Sequence, residues 1–548
     1  MPLIINYQEI VLSASKHFPY ETPRPEQIHA IAAALKAFLK NDKKFFILEA
    51  GTGVGKSAVG LTLARVLNER LPDTDGYGKG SYFLTTQRVL QEQYENDFGH
   101  PSGKMTSVYS SKNYQCEYHK RNDCRTSQQM LRTEEKSSRF FKKCTVDCLY
   151  KREKKLFLES PESVTNFPYF IMESTYSGKI TPRNFLVVDE AHNAESVLTK
   201  FVEVSVSQYF CEKVVKCKWP GKITPVAFFK WVRDVYNPKL QKQILYFEQQ
   251  LENLGLKSRV KDLAAIALKY DMLKSHSNKL TLFLEDYSSD NWVMEIGETE
   301  KRGYVRVTYR AIDVSKYAET YLFRMGRKVL LMSATILNAD GFAKSLGIPK
   351  SDYDSISIAS PFPVENRPII HADIGSFSAK VIDFTLPRAK DAVRAIMAEH
   401  KNEKGIIHCH TYKIAKYLKK ALRSKRILTH NSENRDEILA KHINSKEPTV
   451  LLTPSMTEGV DLKDDASRFQ IIVKVPYPYL GDPIIRKRMN KNDKWYPMKT
   501  AMTIVQAYGR SVRSKEDSAV TYILDSDWKR FYRQNKDVFP AGFDECLV

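Results

Sequence analysis

The segment FFILEAGTGVGKS, residues 45–57, constrains the fold of this chain more than any other. A short, mostly apolar run leads into a glycine-rich turn, and the residues from Lys56 to Glu69 then have helical character. A strand, a glycine-rich loop and a helix in this order are typical of a phosphate-binding loop in an α/β protein. The sequence therefore predicts a parallel sheet covered by helices, with a phosphate site where this strand ends.

The loop AGTGVGKS has the residue types that a bound triphosphate requires. Its glycines let backbone N–H groups approach phosphate oxygens, its lysine reaches the β- and γ-phosphates, and its serine ligates Mg²⁺. Ala50 replaces the usual first glycine, which is a small change in size. Gln27, in RPEQ upstream of the loop, is predicted to contact adenine. The loop residues predicted to bind ATP and Mg²⁺ are Gly51, Thr52, Gly53, Gly55, Lys56 and Ser57.

Two further motifs complete a predicted hydrolytic site. VVDEAH places Asp189 at the end of an apolar strand, where it is predicted to hold Mg²⁺, with Glu190 next to it as the group that orients and deprotonates water. QAYGRSVRS is predicted to place Arg510 and Arg513 one turn apart on one helix face. There they would stabilise the charge that develops on the γ-phosphate, although a basic face for solvent or nucleic acid is the alternative.

The rest of the chain predicts a second α/β domain and two insertions in the first. Apolar residues at helical spacing from Leu240 to Leu254 and from Val260 to Leu273, with Gly255 between, predict a helical hairpin. YVRVTY, residues 304–309, alternates with period two and predicts a strand with an exposed edge. Further strands are predicted in NFLVVDEAH, KVLLMSAT, GIIHCH, RILTH, TVLLTPS, FQIIVKVP and AVTYILD.

Four cysteines between the two nucleotide motifs have the pattern C-x7-C-x19-C-x3-C: Cys116, Cys124, Cys144 and Cys148. Four thiolates without a histidine suit either tetrahedral Zn²⁺ or a [4Fe–4S] cluster. The paired C-x2-C knuckles of a zinc ribbon are absent from this pattern, which disfavours Zn²⁺. Free buried cysteines are the remaining alternative.

Charge points to a polyanionic partner. The 548 residues have a formal net charge of +21, which favours nucleic acid over an anionic membrane. From Lys104 to Lys155 there are 14 Lys or Arg against 6 Asp or Glu, as in a channel for single-stranded nucleic acid. The aromatic residues interleaved with these charges include Tyr109, Tyr114, Tyr118 and Phe140. Neither a membrane span nor a signal peptide is expected.

These motifs together resemble those of the XPD/DinG group of superfamily 2 iron–sulfur helicases, over most of the chain. The resemblance implies two RecA-like lobes with parallel sheets and flanking helices, the first lobe carrying an iron–sulfur insertion and a helical arch insertion. It also implies ATP-driven movement 5′ to 3′ on single-stranded DNA. The motifs that carry it are RPEQ, AGTGVGKS, FLTTQ, VTNF, VVDEAHN, MSATI, SPFPVENR, TEGVDL, VPYP and QAYGRSVRS.

The resemblance also implies roles for individual residues. It favours the cluster over Zn²⁺, because SKNYQC and CLYKREKK resemble the segments around the first and last cluster ligands. Gln506 is assigned to catalysis and Asp461 to ATP and Mg²⁺. Residues expected to couple hydrolysis to movement are His192, Ser333, Thr335 and Gly459. Residues expected to contact DNA are Thr86, Gln87, Lys142, Lys143, Lys151 and Arg152.

We therefore expect a monomeric ATP-dependent DNA helicase with ATP, Mg²⁺ and a [4Fe–4S] cluster, acting in DNA repair or replication on single-stranded and forked duplex DNA. The expected location is the cytoplasm or nucleoid. An RNA or RNA–DNA hybrid helicase and an ATP-switched nucleic-acid clamp remain the alternatives. The predicted segments are lobe 1 at 1–103, 161–205 and 301–345, the iron–sulfur domain at 104–160, the arch at 206–300 and lobe 2 at 346–548.

Overall fold

The computed structural model describes residues 7–100, 103–131, 134–253, 260–299, 303–431, 434–454, 462 and 464–548. The strands in these ranges are β1 (Phe45–Ala50), β2 (Gly78–Thr85), β3 (Met105–Ser107), β4 (Glu162–Asn166), β5 (Arg183–Asp189), β6 (Val204–Ser207), β7 (Trp292–Glu298), β8 (Val305–Ala311), β9 (Gly326–Ser333), β10 (Tyr353–Ile358), β11 (Ile369–His371), β12 (Gly405–His408), β13 (Ile427–Thr429), β14 (Val450–Thr453), β15 (Phe469–Ile472) and β16 (Val520–Ile523).

The α-helices are α1 (Tyr7–His17), α2 (Pro25–Leu35), α3 (Lys56–Arg70), α4 (Arg88–Phe98), α5 (Cys124–Met130), α6 (Arg139–Val146), α7 (Leu149–Glu159), α8 (Phe167–Met172), α9 (Ala194–Val202), α10 (Gln208–Phe210), α11 (Pro225–Trp231), α12 (Asn237–Asn253), α13 (Val260–Asp286), α14 (Ser315–Tyr321), α15 (Ala339–Ser345), α16 (Ile382–Glu399), α17 (Tyr412–Leu422), α18 (Arg435–Asn444), α19 (Pro483–Lys491), α20 (Trp495–Tyr508) and α21 (Asp527–Gln534). No helix in the described ranges is both long and apolar enough to cross a bilayer.

The chain divides into two compact units. Unit 1 comprises Met1–Leu63, Leu331–Phe342 and Ser351–Val548, and unit 2 comprises Ala64–Leu330 and Ala343–Lys350. Each unit contains parallel strands and its own buried apolar side chains.

Unit 1 contains a six-stranded parallel sheet in the order β11-β16-β15-β12-β14-β13. The inner strands β12, β14 and β15 are short and fully buried, as expected when helices cover both faces of a parallel sheet, whereas the outer strands β11 and β13 are partly exposed. Leu386 of α16 and Ile414 of α17 belong to one buried cluster, and Ile504 of α20 and Trp528 of α21 belong to another. In the same unit, β1 pairs in parallel with β10.

Unit 2 contains the parallel strands β5-β2-β4-β3 and a separate antiparallel sheet, β6-β8-β7. The helices α12 and α13 pack against each other, and hydrogen bonds link Tyr270 to Glu248 and Gln241 to Ser277. The predicted helical hairpin thus corresponds to two observed helices, and Gly255 lies outside the described residues.

The predicted α/β fold class with parallel sheets is confirmed, and every strand named from the sequence is present. The predicted exposed edge at YVRVTY is wrong, because β8 is the central strand of its sheet. Its side chains alternate between buried and more exposed positions, since one face of the sheet is covered. Period-two alternation reports a covered face and carries no information on whether a strand lies at an edge.

Candidate nucleotide site and cysteine-lined pocket

The phosphate loop follows β1, whose six residues are all buried. Gly53 and Gly55 have φ angles of 90° and 80°, in the left-handed region that favours glycine, and α3 begins at Lys56. The Lys56 ammonium donates to the Ala50 carbonyl oxygen at 3.4 Å. The predicted strand, turn and helix are therefore in place, and the N–H groups at the start of α3 are the donors that a phosphate uses.

Two side chains at the start of α2 hold this loop. Arg24 Nη2 donates to the carbonyl oxygens of Gly53, at 2.7 Å, and Val54, at 2.8 Å. Gln27 Nε2 donates to the same Val54 oxygen at 2.9 Å, while Gln27 Oε1 accepts from the Arg24 backbone N–H. The Gln27 amide thus binds the loop backbone, and its contact with adenine stays a prediction.

Residues of the SPFPVENR motif pack against the same loop. Ser360 Oγ donates to the Thr52 carbonyl oxygen at 2.8 Å. The Phe362 ring fills the space beside Gly53, so closely that a Cβ atom added to this glycine would lie 2.1 Å from Phe362 Cζ. Phe362 also packs with Val512 of the arginine motif. One aromatic ring therefore lies between the phosphate loop and that motif.

Arg510 and Arg513 follow a helix and do not lie on one face of it, so this prediction is wrong. Helix α20 ends at Tyr508, before a glycine. Beyond it, the carbonyl oxygen of Arg510 accepts from the Leu462 N–H at 3.4 Å, and the Arg513 N–H donates to the buried Asp517 carboxylate at 3.0 Å. These bonds use backbone groups that would otherwise form the next helical turn, so the helix does not continue through the two arginines.

The SAT motif and the arginine motif are joined by a hydrogen bond between buried side chains. Gln506 Nε2 donates to Thr335 Oγ1 at 3.3 Å, and the Thr335 N–H donates to Ser333 Oγ at 3.1 Å. Three residues predicted to take part in catalysis or coupling thus lie together. Gly459 and Asp461, also predicted, lie outside the described residues.

Asp189 is the last residue of β5, and its carboxylate is buried. The Glu190 N–H donates to Asp189 Oδ1 at 2.9 Å, and the Tyr94 hydroxyl donates to Asp189 Oδ2 at 3.0 Å. Glu190 has a φ of 52°, and such left-handed residues concentrate at functional sites. His192 Nδ1 lies 3.3 Å from Glu190 Oε2, so the coupling candidate contacts the proposed base.

Thr86 and Gln87 directly follow β2 and are partly exposed. Because β2 pairs in parallel with β5, these residues lie at the edge of the unit 2 sheet that also carries Asp189. The Thr85 hydroxyl donates to the Gln87 carbonyl oxygen at 3.2 Å and shapes this turn. The placement agrees with a DNA-contact role, which stays a prediction.

All four predicted cluster cysteines line one pocket in unit 2. Cys124, Cys144 and Cys148 are buried, and Cys116 is partly exposed. The His119 N–H donates to Cys116 Sγ and the Gln128 amide donates to Cys124 Sγ, both at 3.2 Å. The structure thus brings together residues that are up to 32 positions apart in the sequence.

The thiols of this pocket differ in acidity. Hydrogen bonds from Cys124 and Cys144 lower the pKa of Cys148, and the same bonds, together with burial, raise the pKa of both donors. In the described ranges, no group of three or more His, Cys, Asp or Glu side chains has an arrangement ready to hold a metal ion. Four converging thiols nevertheless fit an iron–sulfur cluster by donor chemistry, and the cluster stays a prediction.

Two of the four cations predicted to hold DNA near this pocket form ion pairs. Lys143 lies 3.8 Å from Glu117 and 3.7 Å from Asp147, and Arg152 lies 3.1 Å and 3.0 Å from the same carboxylates. Lys142 is exposed and Lys151 is partly exposed. Two of the six acidic residues in this segment therefore lie against cations that are predicted to contact DNA.

Two of the four interleaved aromatic residues named from the sequence lie in the core of the cysteine segment. Tyr114 and Phe140 are buried, while Tyr118 is 45% exposed. The Tyr114 ring packs against the Tyr150 ring at a centroid distance of 5.3 Å, and the Tyr114 hydroxyl donates to Glu153 at 2.6 Å. The two buried rings therefore help to build the core of a small lobe, and base stacking by the more exposed rings stays a prediction.

Sequence reasoning missed the contacts of Tyr94, Arg24 and Phe362. The buried spacing of Gln91, Tyr94 and Phe98 indicates only the covered face of α4. Nothing in the sequence identifies a carboxylate 95 positions away as the hydrogen-bond partner of Tyr94.

Two family models match the chain. One, described as a helicase C-terminal domain, matches residues 395–543. The other, described as the type III restriction enzyme res subunit, matches residues 21–215. These ranges contain the arginine motif in the first case and the phosphate loop with VVDEAH in the second.

Curated relatives and solved structures add further similarity. The chain is 19% identical over 435 residues to the ATP-dependent DNA helicase YoaA of Escherichia coli strain K12, covering 69% of this chain and 66% of that protein. It is 29% identical over 101 residues to the regulator of telomere elongation helicase 1 homolog of Caenorhabditis elegans, covering 16% and 10%. The chain spans less than two thirds of the length of either relative.

The fold is similar to that of a solved XPD helicase, with a TM-score of 0.60 and 15% identity, over 94% of this chain and 98% of the other. For Xpd4 of S. tokodaii the TM-score is 0.57 at 14% identity, over 94% and 99%. These structures support the same α/β fold with RecA-like lobes.

Fold and site together define a phosphate-loop α/β protein with parallel sheets and an acidic strand end. The two family models, the curated helicase relatives and the solved XPD structures all support the resemblance of this chain to the XPD/DinG group of superfamily 2 helicases.

Proposed function

We propose that the chain is an ATP-dependent DNA helicase that moves 5′ to 3′ along single-stranded DNA and acts in DNA repair or replication. The observation that carries the proposal is the buried Asp189–Glu190 strand end of unit 2, and the phosphate loop of unit 1 supports it. The helicase relatives and the net charge of +21 support DNA as the substrate. Single-stranded and forked DNA are the proposed partners.

Phosphoryl transfer depends mainly on positioning and electrostatics, and this chain provides residues for both. Lys56 and the N–H groups of the loop would bind the phosphates, while Ser57 and Asp189 would hold Mg²⁺. Mg²⁺, when bound, neutralises charge on the β- and γ-phosphate oxygens. Glu190 would accept a proton from the attacking water, and its contact with His192 restricts its orientation.

Arg510 and Arg513 are proposed to stabilise the charge on the γ-phosphate. Although they lie in a loop, Asp517 fixes that loop: its carboxylate accepts from the Arg513 N–H and pairs with Arg468 at 2.8 Å. A fixed loop keeps the guanidinium groups near their working positions at low entropic cost. Gln506 and Thr335 are proposed to transmit the nucleotide state because they connect two motifs directly.

The cysteine pocket is proposed to hold a [4Fe–4S] cluster through Cys116, Cys124, Cys144 and Cys148. The four thiols line one pocket, and N–H donors to two of the sulfurs are typical of iron–sulfur sites. Such a cluster would tie together the short helices of a segment whose core is small. Lys142, Lys143, Lys151 and Arg152 are proposed to contact the strand beside it, two of them by exchanging carboxylate partners for phosphates.

ATP hydrolysis by the purified chain tests this proposal. We expect turnover that single-stranded DNA stimulates, and a loss of about a hundredfold or more in Lys56→Ala and in Glu190→Gln. Glu190→Gln should still bind ATP, because the amide preserves the shape of the site and removes only the base. Undiminished turnover in both variants would contradict the assignment. Equal stimulation by RNA, or DNA binding without turnover, would favour the hybrid helicase or the clamp.

A further inference from the structure

Tyr94 lies on the buried face of α4 and points toward the carboxyl edge of the unit 2 sheet. Its ring packs with Phe83, at a centroid distance of 5.7 Å, and with Phe98, at 5.9 Å. The residue is only 3% exposed, yet its hydroxyl reaches a carboxylate. Three packed aromatic rings therefore fix the position of one phenolic O–H group.

That O–H group bonds to the carboxylate proposed to hold Mg²⁺. Tyr94 Oη donates to Asp189 Oδ2 at 3.0 Å, and the Glu190 N–H donates to Asp189 Oδ1 at 2.9 Å. Both carboxylate oxygens therefore have a donor, and the plane of the carboxylate is fixed from two sides. Each oxygen of a carboxylate has two lone pairs, so an oxygen that accepts one hydrogen bond can still bind a metal ion.

We propose that Tyr94 is a positioning residue for the magnesium ligand Asp189. Its hydroxyl holds the carboxylate in the orientation that binds the metal ion of the nucleotide complex, and Tyr94 itself contacts neither nucleotide nor metal. The inference rests on the proposed function, because it requires Asp189 to be a magnesium ligand. Groups that hydrogen-bond to metal ligands commonly change metal affinity by about 10- to 100-fold when removed.

Tyr82 provides a matched control in the same unit. It is also buried, its ring packs with Phe157 and Phe170, and its hydroxyl donates to the Thr181 carbonyl oxygen at 3.0 Å. Tyr82→Phe and Tyr94→Phe each remove one buried hydroxyl and keep the ring contacts. Only Tyr94→Phe removes a bond to a proposed metal ligand. A purely structural role for Tyr94 would make the two variants alike.

The experiment measures Mn²⁺ binding to the full chain with ADP present, from the free Mn²⁺ signal in electron paramagnetic resonance. A titration of ADP alone corrects for Mn²⁺ bound by the nucleotide. We expect Tyr94→Phe to weaken binding about 10-fold or more, and Tyr82→Phe to change it less than about twofold. Asp189→Asn should weaken binding at least as much as Tyr94→Phe. Circular dichroism and thermal melting verify that each variant is folded.

The binding measurements distinguish a positioning role of Tyr94 from the role of Asp189 as a magnesium ligand. If Asp189→Asn weakens Mn²⁺ binding while Tyr94→Phe behaves like Tyr82→Phe, the positioning role is overturned and the magnesium site stands. If Asp189→Asn leaves binding unchanged, the proposed magnesium ligand is itself wrong. If both tyrosine variants weaken binding equally, the effect reflects general packing and the inference also fails.

Discussion

At Gly53 two constraints act on one residue. Its φ of 90° favours glycine, and the Phe362 ring occupies the space that a side chain would need. We predict that Gly53→Ala weakens ATP binding by about tenfold or more, because the loop or the ring must move. Fluorescent-nucleotide titration measures this loss. Gly76→Ala is the control, since its φ of 89° is equally strained but nothing lies within 4 Å of an added Cβ. If Gly53→Ala and Gly76→Ala weaken ATP binding equally, the contact with Phe362 does not account for the loss.

Buried histidines make the stability of the fold depend on pH. Burial lowers the pKa of His276 and His442 from 6.5 to about 4 and that of His408 to about 3. Below pH 6.5 the unfolded chain binds protons that the folded chain excludes, so stability falls as the pH falls toward 4. We predict a melting temperature that declines over this range.

A single substitution tests this pH dependence. His442 bonds through Nδ1 to Thr449 and through Nε2 to the Ala466 carbonyl oxygen, at 2.8 Å each. His442→Gln should melt lower at pH 7, because it breaks this pair of contacts, and should show a shallower decline on acidification. If the melting temperature of His442→Gln falls with pH as steeply as that of the unchanged chain, His442 does not contribute to the pH dependence.

At the residue scale, the sequence identifies groups with a chemical signature but not the groups that support them. Lys56, Asp189 and Glu190 can be named as candidates from local motifs, because each lies in a short pattern that predicts nucleotide hydrolysis. Tyr94 and Arg24 do not, because their roles depend on contacts that only the folded chain creates.

At the scale of elements, strands were easier to predict than helix ends. The apolar runs that form β1, β5, β12 and β14 are bounded by turn residues, and all are present. The end of α20 was placed too late, because the arginine spacing fits a helical turn and the loop bonds of Asp517 are not visible in the sequence. The same limit applies to β8, whose two neighbours come from distant parts of the chain.

The cysteine segment provides an element-scale prediction. Prepared without oxygen, the chain should contain about four iron and four sulfide ions, and Cys148→Ser should lose them. Cys217→Ser, a buried cysteine outside the pocket, is the matched control and should retain the cluster. Iron and acid-labile sulfide analysis measures both. Stoichiometric zinc without sulfide would refute the cluster, because zinc binds thiolates directly.

At the scale of the whole molecule, fold class was predictable because it depends on recurring patterns. Alternating apolar strands and helical stretches specify parallel sheets covered by helices, and both units have them. The pocket-forming arrangement of the cysteines was predicted by spacing and resemblance, whereas the ion pairs of Lys143 and Arg152 were not. Surface ion pairs depend on side-chain reach across several elements, which composition does not report.

Strand displacement with matched 5′- and 3′-tailed DNA duplexes tests the central claim most directly. We predict ATP-dependent unwinding of the 5′-tailed duplex, little unwinding of the 3′-tailed one, and no unwinding by Lys56→Ala. Unwinding that requires a 3′ tail would contradict the proposed polarity. DNA binding with no unwinding of either duplex, in a preparation that hydrolyses ATP, would contradict the assignment of this chain as a DNA helicase.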